Sequence, residues 1–133
     1  MGFEEVEHTA DWAYRVWGGT IAGLFVQAAE GLYSLAGMEL APTPPLIRRI
    51  NLQGIDYESL LVAWLNELLY LNNSENLGFD QIEILHLDSN RLEALVTGAP
   101  TRQWLKDIKA ATYHNLAIHS TESGFEATLV LDV

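Results

Sequence analysis

The chain has 133 residues, the size of one ordinary domain, and carries seven Lys and Arg against eighteen Asp and Glu, a net charge of −11. Such a balance repels a nucleic-acid backbone at long range and argues against non-specific DNA or RNA binding. Zero cysteines exclude disulfides, thiol nucleophiles, iron–sulfur clusters and thiolate zinc sites.

With 49% hydrophobic and 19% charged residues, the composition is that of a packed protein whose acid sits on a folded surface. In chain order, Phe3 and Val6, then Ala13 to Trp17, read as short extended segments flanking the polar His8-Thr9-Ala10-Asp11. Gly18-Gly19 ends the second, Thr20 is an N-cap, and Leu24, Phe25, Ala28, Leu32 and Leu35 recur at helical spacing up to Gly37. Pro42, Pro44 and Pro45 cannot continue that helix, and Leu46 to Leu52 alternates as a strand. Asp56 caps a second helix, with an apolar stripe of Leu60, Leu61, Trp64, Leu65, Leu68 and Leu69, running to about Asn72 before a polar 72–76 loop. Phe79 to Leu87 and Arg91 to Thr97 read as strands joined at Asp88-Ser89-Asn90, with Pro100 stopping the second. Trp104 to Ala111 is ambiguous, and Tyr113 to His119 and Phe125 to Val133 alternate as a last hairpin.

Strand, helix, strand thus occurs twice in the first 90 residues. The expected fold is α+β, a two-layer sandwich of mostly antiparallel sheet against two main helices, with residues 1–133 as one domain. Leu60 to Leu71, the longest apolar stretch, is broken by Asn66 and Glu67 and falls short of the roughly 20 residues of a membrane span. Met1-Gly2-Phe3-Glu4-Glu5 has neither a basic nor an apolar signal region, so a cytoplasmic location without membrane attachment is expected.

Three oxygen-rich groups stand out: Asp11, Asp132 and the α-carboxylate of Val133. Should the first and last strands lie side by side, Asp11 would complete a carboxylate cluster whose repulsion a cation, protonation or separation must relieve. Hard oxygen donors select Ca²⁺, Mg²⁺ or Mn²⁺ over Zn²⁺. Read singly, each acid is an ordinary strand-end residue in water.

His8, His86, His114 and His119 lack the helical i, i+4 pairing of a zinc-enzyme motif, and in one strand His114 and His119 would face opposite ways. No nucleophile elbow surrounds a serine, and Gly18-Gly19 and Gly23 lack the lysine of a phosphate-binding loop. Glu67 falls inside an apolar stripe, where a solvated face is the ordinary reading. Arg102, Lys106 and Lys109 gather three of the seven cations near Trp104 and Tyr113, a patch suited to a phosphate or an acidic partner, or to balancing nearby acids. Trp12 and Trp104, in polar surroundings, are the candidate surface anchors.

His8-Thr9-Ala10-Asp11, the run Leu60-Leu61-Val62-Ala63-Trp64-Leu65-Asn66-Glu67-Leu68-Leu69-Tyr70, and Lys109-Ala110-Ala111-Thr112-Tyr113-His114 followed by Leu131-Asp132-Val133 resemble the archease family in order and spacing, across essentially the whole chain. The resemblance implies a small α+β sandwich with no reaction of its own. It would act on the manganese- and GTP-dependent RNA ligase that seals 3′-phosphate or 2′,3′-cyclic-phosphate ends to 5′-hydroxyl ends. Its role would be to promote the guanylylation and multiple turnover of this 3′-phosphate RNA ligase, in tRNA splicing and RNA repair, meeting RNA only indirectly through the ligase. It further implies a divalent-metal site (Ca, Mg or Mn) at Asp11, Asp132 and Val133, and partner contacts at His8, Glu67, Lys109 and His114. The chain departs from the family pattern at Ala63, where relatives often carry an acid, at Trp12, and at Ala111, where Val is common. The rival readings are a chaperone-like binding module and a metal-dependent hydrolase with His8 as its base.

Overall fold

The computed structural model describes residues 1–6 and 12–133. Their elements in order are β1 (Gly2–Val6), β2 (Trp12–Gly18), α1 (Ile21–Ala36), β3 (Glu39–Leu40), β4 (Leu46–Gln53), α2 (Tyr57–Glu75), β5 (Leu77–Leu87), β6 (Arg91–Gln103), β7 (Ala110–Thr112), β8 (His119–Thr121) and β9 (Gly124–Asp132). All strand pairs are antiparallel and form two sheets. One is built on β9, which pairs β2 along one edge and β7 and β8 along its length, with β1 outside β2; the other is built on β6, which pairs β3, β4 and β5. Both helices touch strands of both sheets, giving the α+β sandwich of antiparallel sheet and two helices.

The helices begin where the cap chemistry places them. Thr20 Oγ1 accepts from the Gly23 amide at 2.9 Å, and Asp56 and Ser59 form a reciprocal capping box at the head of α2. Their apolar faces close over one core of Tyr14, Phe25, Leu32, Trp64, Leu68 and Phe79 with the inner faces of both sheets. Among the described residues no polar or charged residue is buried, and no helix is long and apolar enough to cross a membrane.

Four sequence expectations are corrected. Helix α2 does not stop near Asn72 but runs to Glu75: Ser74 Oγ bonds back to the Tyr70 carbonyl at 2.8 Å, Arg48 grips Glu75 through two bonds of 2.7 and 3.0 Å, and Asn76 ends the helix at φ 58°. Pro100 does not stop β6. Along that strand β4 reaches only Gly98 and β3 begins at Thr101, so the missing proline N–H falls in the gap between two partners, where the Pro100 carbonyl still accepts from Ala41 at 2.7 Å. Tyr113 to His119 is not one strand: Leu116 donates to the Tyr113 carbonyl at 2.9 Å in a turn with Asn115 at φ 51°, and only His119 starts β8. The alternation there reflects Leu116 and Ile118 reaching the core from a turn. Finally, Trp12 and Trp104 are not surface anchors. Both are half-buried against the core, Trp104 edge-on to Tyr33 at 6.0 Å and Trp12 beneath the Lys106 ammonium at 4.8 Å.

Candidate functional site

The end of β9 is where three of the singled-out residues, Lys109, Asp132 and Val133, meet. On one side its register with β2 sets Trp12 opposite Leu131; on the other, β7 sets Ala110 opposite Asp132, Ala111 opposite Leu131 and Thr112 opposite Val130. The Lys109 amide extends this pairing by donating to the Asp132 carbonyl at 2.8 Å. Asp132, Val133 and Lys109 therefore share one sheet end, all with exposed side chains. His8 and Asp11 lie outside the described residues. Among the described residues no three Asp, Glu or His side chains gather closely enough to hold a metal.

Segment 104–109 leads into this end from α1. The Leu105 and Lys106 amides both donate to the Ala36 carbonyl, at 2.8 and 3.1 Å, so the last turn of α1 fixes the path that carries Lys106 over Trp12. Lys106 and Lys109 are exposed, while Arg102 pairs with Glu39 at 3.3 Å, so the cationic patch is partly spent on a neighbouring acid.

At β7 and again before β8 the chain is held by side chains from α2. The Asn66 carboxamide pairs with Ala111 in both directions: Oδ1 accepts from the Ala111 amide at 2.8 Å and Nδ2 donates to its carbonyl at 3.2 Å. It stands in for an adjoining strand at an otherwise unpaired edge position. Glu58, in the first turn of α2, accepts from the Ile118 amide at 3.1 Å. Between these ties Thr112 Oγ1 donates to the Val130 carbonyl at 3.0 Å and accepts from the His114 amide at 3.3 Å. His114 thus sits on the turn past β7, beside Asn115, and Glu67 is half-buried next to Asn66 on α2. The sequence marks Asn66 as a break in the apolar stretch and as part of the archease-like run without giving it a role, and it does not single out Glu58. The available signal was a carboxamide set inside an apolar stripe, where a polar side chain requires a partner.

Residues 3–133 match the Archease protein family (MTH1598/TM1083). The archease of Methanopyrus kandleri is 31% identical over 140 residues, covering 100% of both chains. That of Saccharolobus solfataricus is 35% identical over 136 residues, covering 98% of each. Among solved structures, an archease from Thermotoga maritima superposes with a TM-score of 0.73 at 26% identity, covering 98% of this chain and 96% of that one. Protein 1598 of Methanobacterium thermoautotrophicum gives 0.72 at 26% identity, covering 99% of each. A family match along nearly the whole sequence, joined to relatives above 30% identity and to two solved structures of the same fold, means that this chain belongs to the archease family.

Proposed function

We propose that this protein is a cytoplasmic accessory factor of the 3′-phosphate RNA ligase, promoting its guanylylation and multiple turnover rather than catalysing a reaction itself. The observation that carries the reading is the register of β2 with β9. Trp12, the residue after the His-Thr-Ala-Asp sequence, is opposite Leu131, the residue before Asp132. Net charge of −11 supports docking on a protein over direct handling of RNA.

In this reading Asp11, Asp132 and Val133 hold a divalent ion. The donor set fits: it is all oxygen, which suits Ca²⁺, Mg²⁺ or Mn²⁺, and Asp132 and Val133 are exposed at a strand end. Such an ion, when bound, would neutralise the carboxylates that hold it. The protein's own part is positional: β7 and β2 fix both sides of β9, and the Lys109 amide fixes the Asp132 carbonyl.

A chaperone-like module is the second reading, favoured by exposed Ile47, Ile55 and Leu105 and by the description of the Thermotoga maritima archease as a possible chaperone. Multiple-turnover ligation of a 3′-phosphate RNA to a 5′-hydroxyl RNA separates the two. Stimulation by wild type and not by Asp11→Asn is expected; no stimulation by either leaves the chaperone-like module.

A further inference from the structure

Seven cations serve a chain of net charge −11, and the structure divides them into two groups. Among the described residues each of the five arginines is paired with a glutamate, whereas Lys106 and Lys109 are paired with no carboxylate, the intervening Asp107 included. Lys106 is nevertheless held in place. Its ammonium lies over the Trp12 ring, 4.8 Å from the centroid, and its amide donates to the Ala36 carbonyl at 3.1 Å, so both ends of the residue are tied. Trp12 follows Asp11 directly in the chain and stands opposite Leu131, the neighbour of Asp132. The ring that holds the ammonium is thus one residue from Asp11 along the chain, and one strand pairing and one residue from Asp132. A positive charge is fixed beside the donors assigned above to a divalent ion.

Resting on the ion-site reading, we infer that Lys106 is a fixed counter-charge of that site, which steadies its carboxylates when no ion is bound and lowers its affinity for a divalent ion. The attraction between ammonium and carboxylates is present with and without the ion, so it cancels from the binding equilibrium. What remains is the repulsion between the ammonium and the incoming ion. A free surface lysine would relax that repulsion by swinging its head group into water, and the contact with Trp12 opposes this motion. Occupancy of the site then follows the supply of the ion instead of being permanent. Because the effect is one of charge and not of fit, it falls equally on Mn²⁺, Mg²⁺ and Ca²⁺ and more heavily on a trivalent ion.

The test is calorimetric titration of wild type, Lys106→Met, Lys106→Arg and Arg91→Met with Mn²⁺, Ca²⁺ and Tb³⁺. Each is run at about 0.01 M salt, where the screening length is about 30 Å, and at about 1 M, where it is about 3 Å. Lys106 is exposed, and methionine keeps an apolar stem on Trp12 while removing the charge. Arg91, exposed on the other sheet, controls for the change in net charge. At low salt Lys106→Met should bind Mn²⁺ and Ca²⁺ about threefold tighter, by the same factor, and Tb³⁺ about fivefold tighter, because the repulsion scales with the charge of the ion. Lys106→Arg keeps a cation that stacks on the ring and should restore wild-type affinity. Arg91→Met should change affinity less than about 1.5-fold, and at high salt all four proteins should bind alike. Unchanged or weaker binding by Lys106→Met, unequal factors for Mn²⁺ and Ca²⁺, an equal effect of Arg91→Met, or an effect that persists at high salt overturns the inference and leaves the ion site standing. Absence of ion binding by the wild type overturns both.

Discussion

The indole Nε1 of Trp64 donates to the carbonyl of Phe25 at 3.0 Å, a buried bond across 39 residues that fastens α2 to α1 at the centre of the core. Trp64 is fully buried, so its ring fills the inter-helix space and its one polar atom finds a partner on the facing helix. Trp64→Phe removes the donor and leaves a void, and about 2–4 kcal/mol of stability should be lost. Urea unfolding followed by circular dichroism measures this as a lower midpoint at unchanged slope; a loss under about 0.5 kcal/mol would mean that the core repacks freely around the smaller ring.

Gly98 lies on β6 where the β5 pairing shifts register, and a Cβ there would strike the Gly78 carbonyl oxygen and come within 2.6 Å of the Phe79 Cα. These are backbone atoms, which cannot swing aside as a flexible side chain does. Gly98→Ala is expected to destabilise by at least about 2 kcal/mol through displacement of β5, a larger effect than the same change at Gly19, where the nearest atom is 4.0 Å away. Comparing the two melting temperatures checks this, and equal shifts would sink it.

Stability at alkaline pH should fall for a reason located in the core. Burial holds the phenols of Tyr14 and Tyr33 well above the usual tyrosine range, and Tyr14 also donates to the Ala28 carbonyl at 2.7 Å. In the unfolded chain both would titrate near ~10, so above that pH the unfolded state releases protons that the folded state retains. The contribution is fully present below pH ~10 and declines as pH rises, by about 1.4 kcal/mol per pH unit for each tyrosine. Urea unfolding between pH ~9 and ~11.5 should show this slope, and Tyr14→Phe should remove its own share. An identical slope in the variant is the contrary outcome.

At acid pH the exposed carboxyls of Glu75 and Asp88 lead. Hydrogen bonding to Arg48 holds Glu75 below its ordinary range, and hydrogen bonding to His86 does the same for Asp88. Their contribution is present above the unfolded carboxylate range and lost as pH falls through the lowered folded values. Carbon-detected titration of both side chains should place their midpoints below those of a denatured control, and Arg48→Ala should return that of Glu75 to the ordinary range.

For the proposed metal site, extending the chain by one residue after Val133 converts its carboxylate into an amide and removes one charge from the donor set. Affinity for Mn²⁺, Mg²⁺ or Ca²⁺ should fall, and Asp132→Asn should lower it in the same direction without unfolding β9, because the Lys109 amide bonds the Asp132 backbone and not its side chain. Calorimetry on the three proteins decides; equal affinities would remove Val133 and Asp132 from the ligand set.

By itself the sequence determined the elements whose cause is local. Thr20, Asp56 and Gly37 mark helix ends because caps act within one turn, and the leucine stripe around Trp64 follows from helical period alone. The motif islands were equally legible, since they are read from residue identity and order. Tertiary structure alone decided the division into two sheets, the passage of β6 through Pro100, and the end of α2 at Asn76, because each depends on a partner distant in sequence: β3 and β4 in the first two cases, Arg48 in the third. It also decided that Tyr113 is held out on a turn and not paired in a strand. Alternation along 113–119 records only which residues reach the core, whereas the backbone path is set by the turn that Leu116 closes onto Tyr113 and by Glu58, which stands 60 residues before the Ile118 amide it binds.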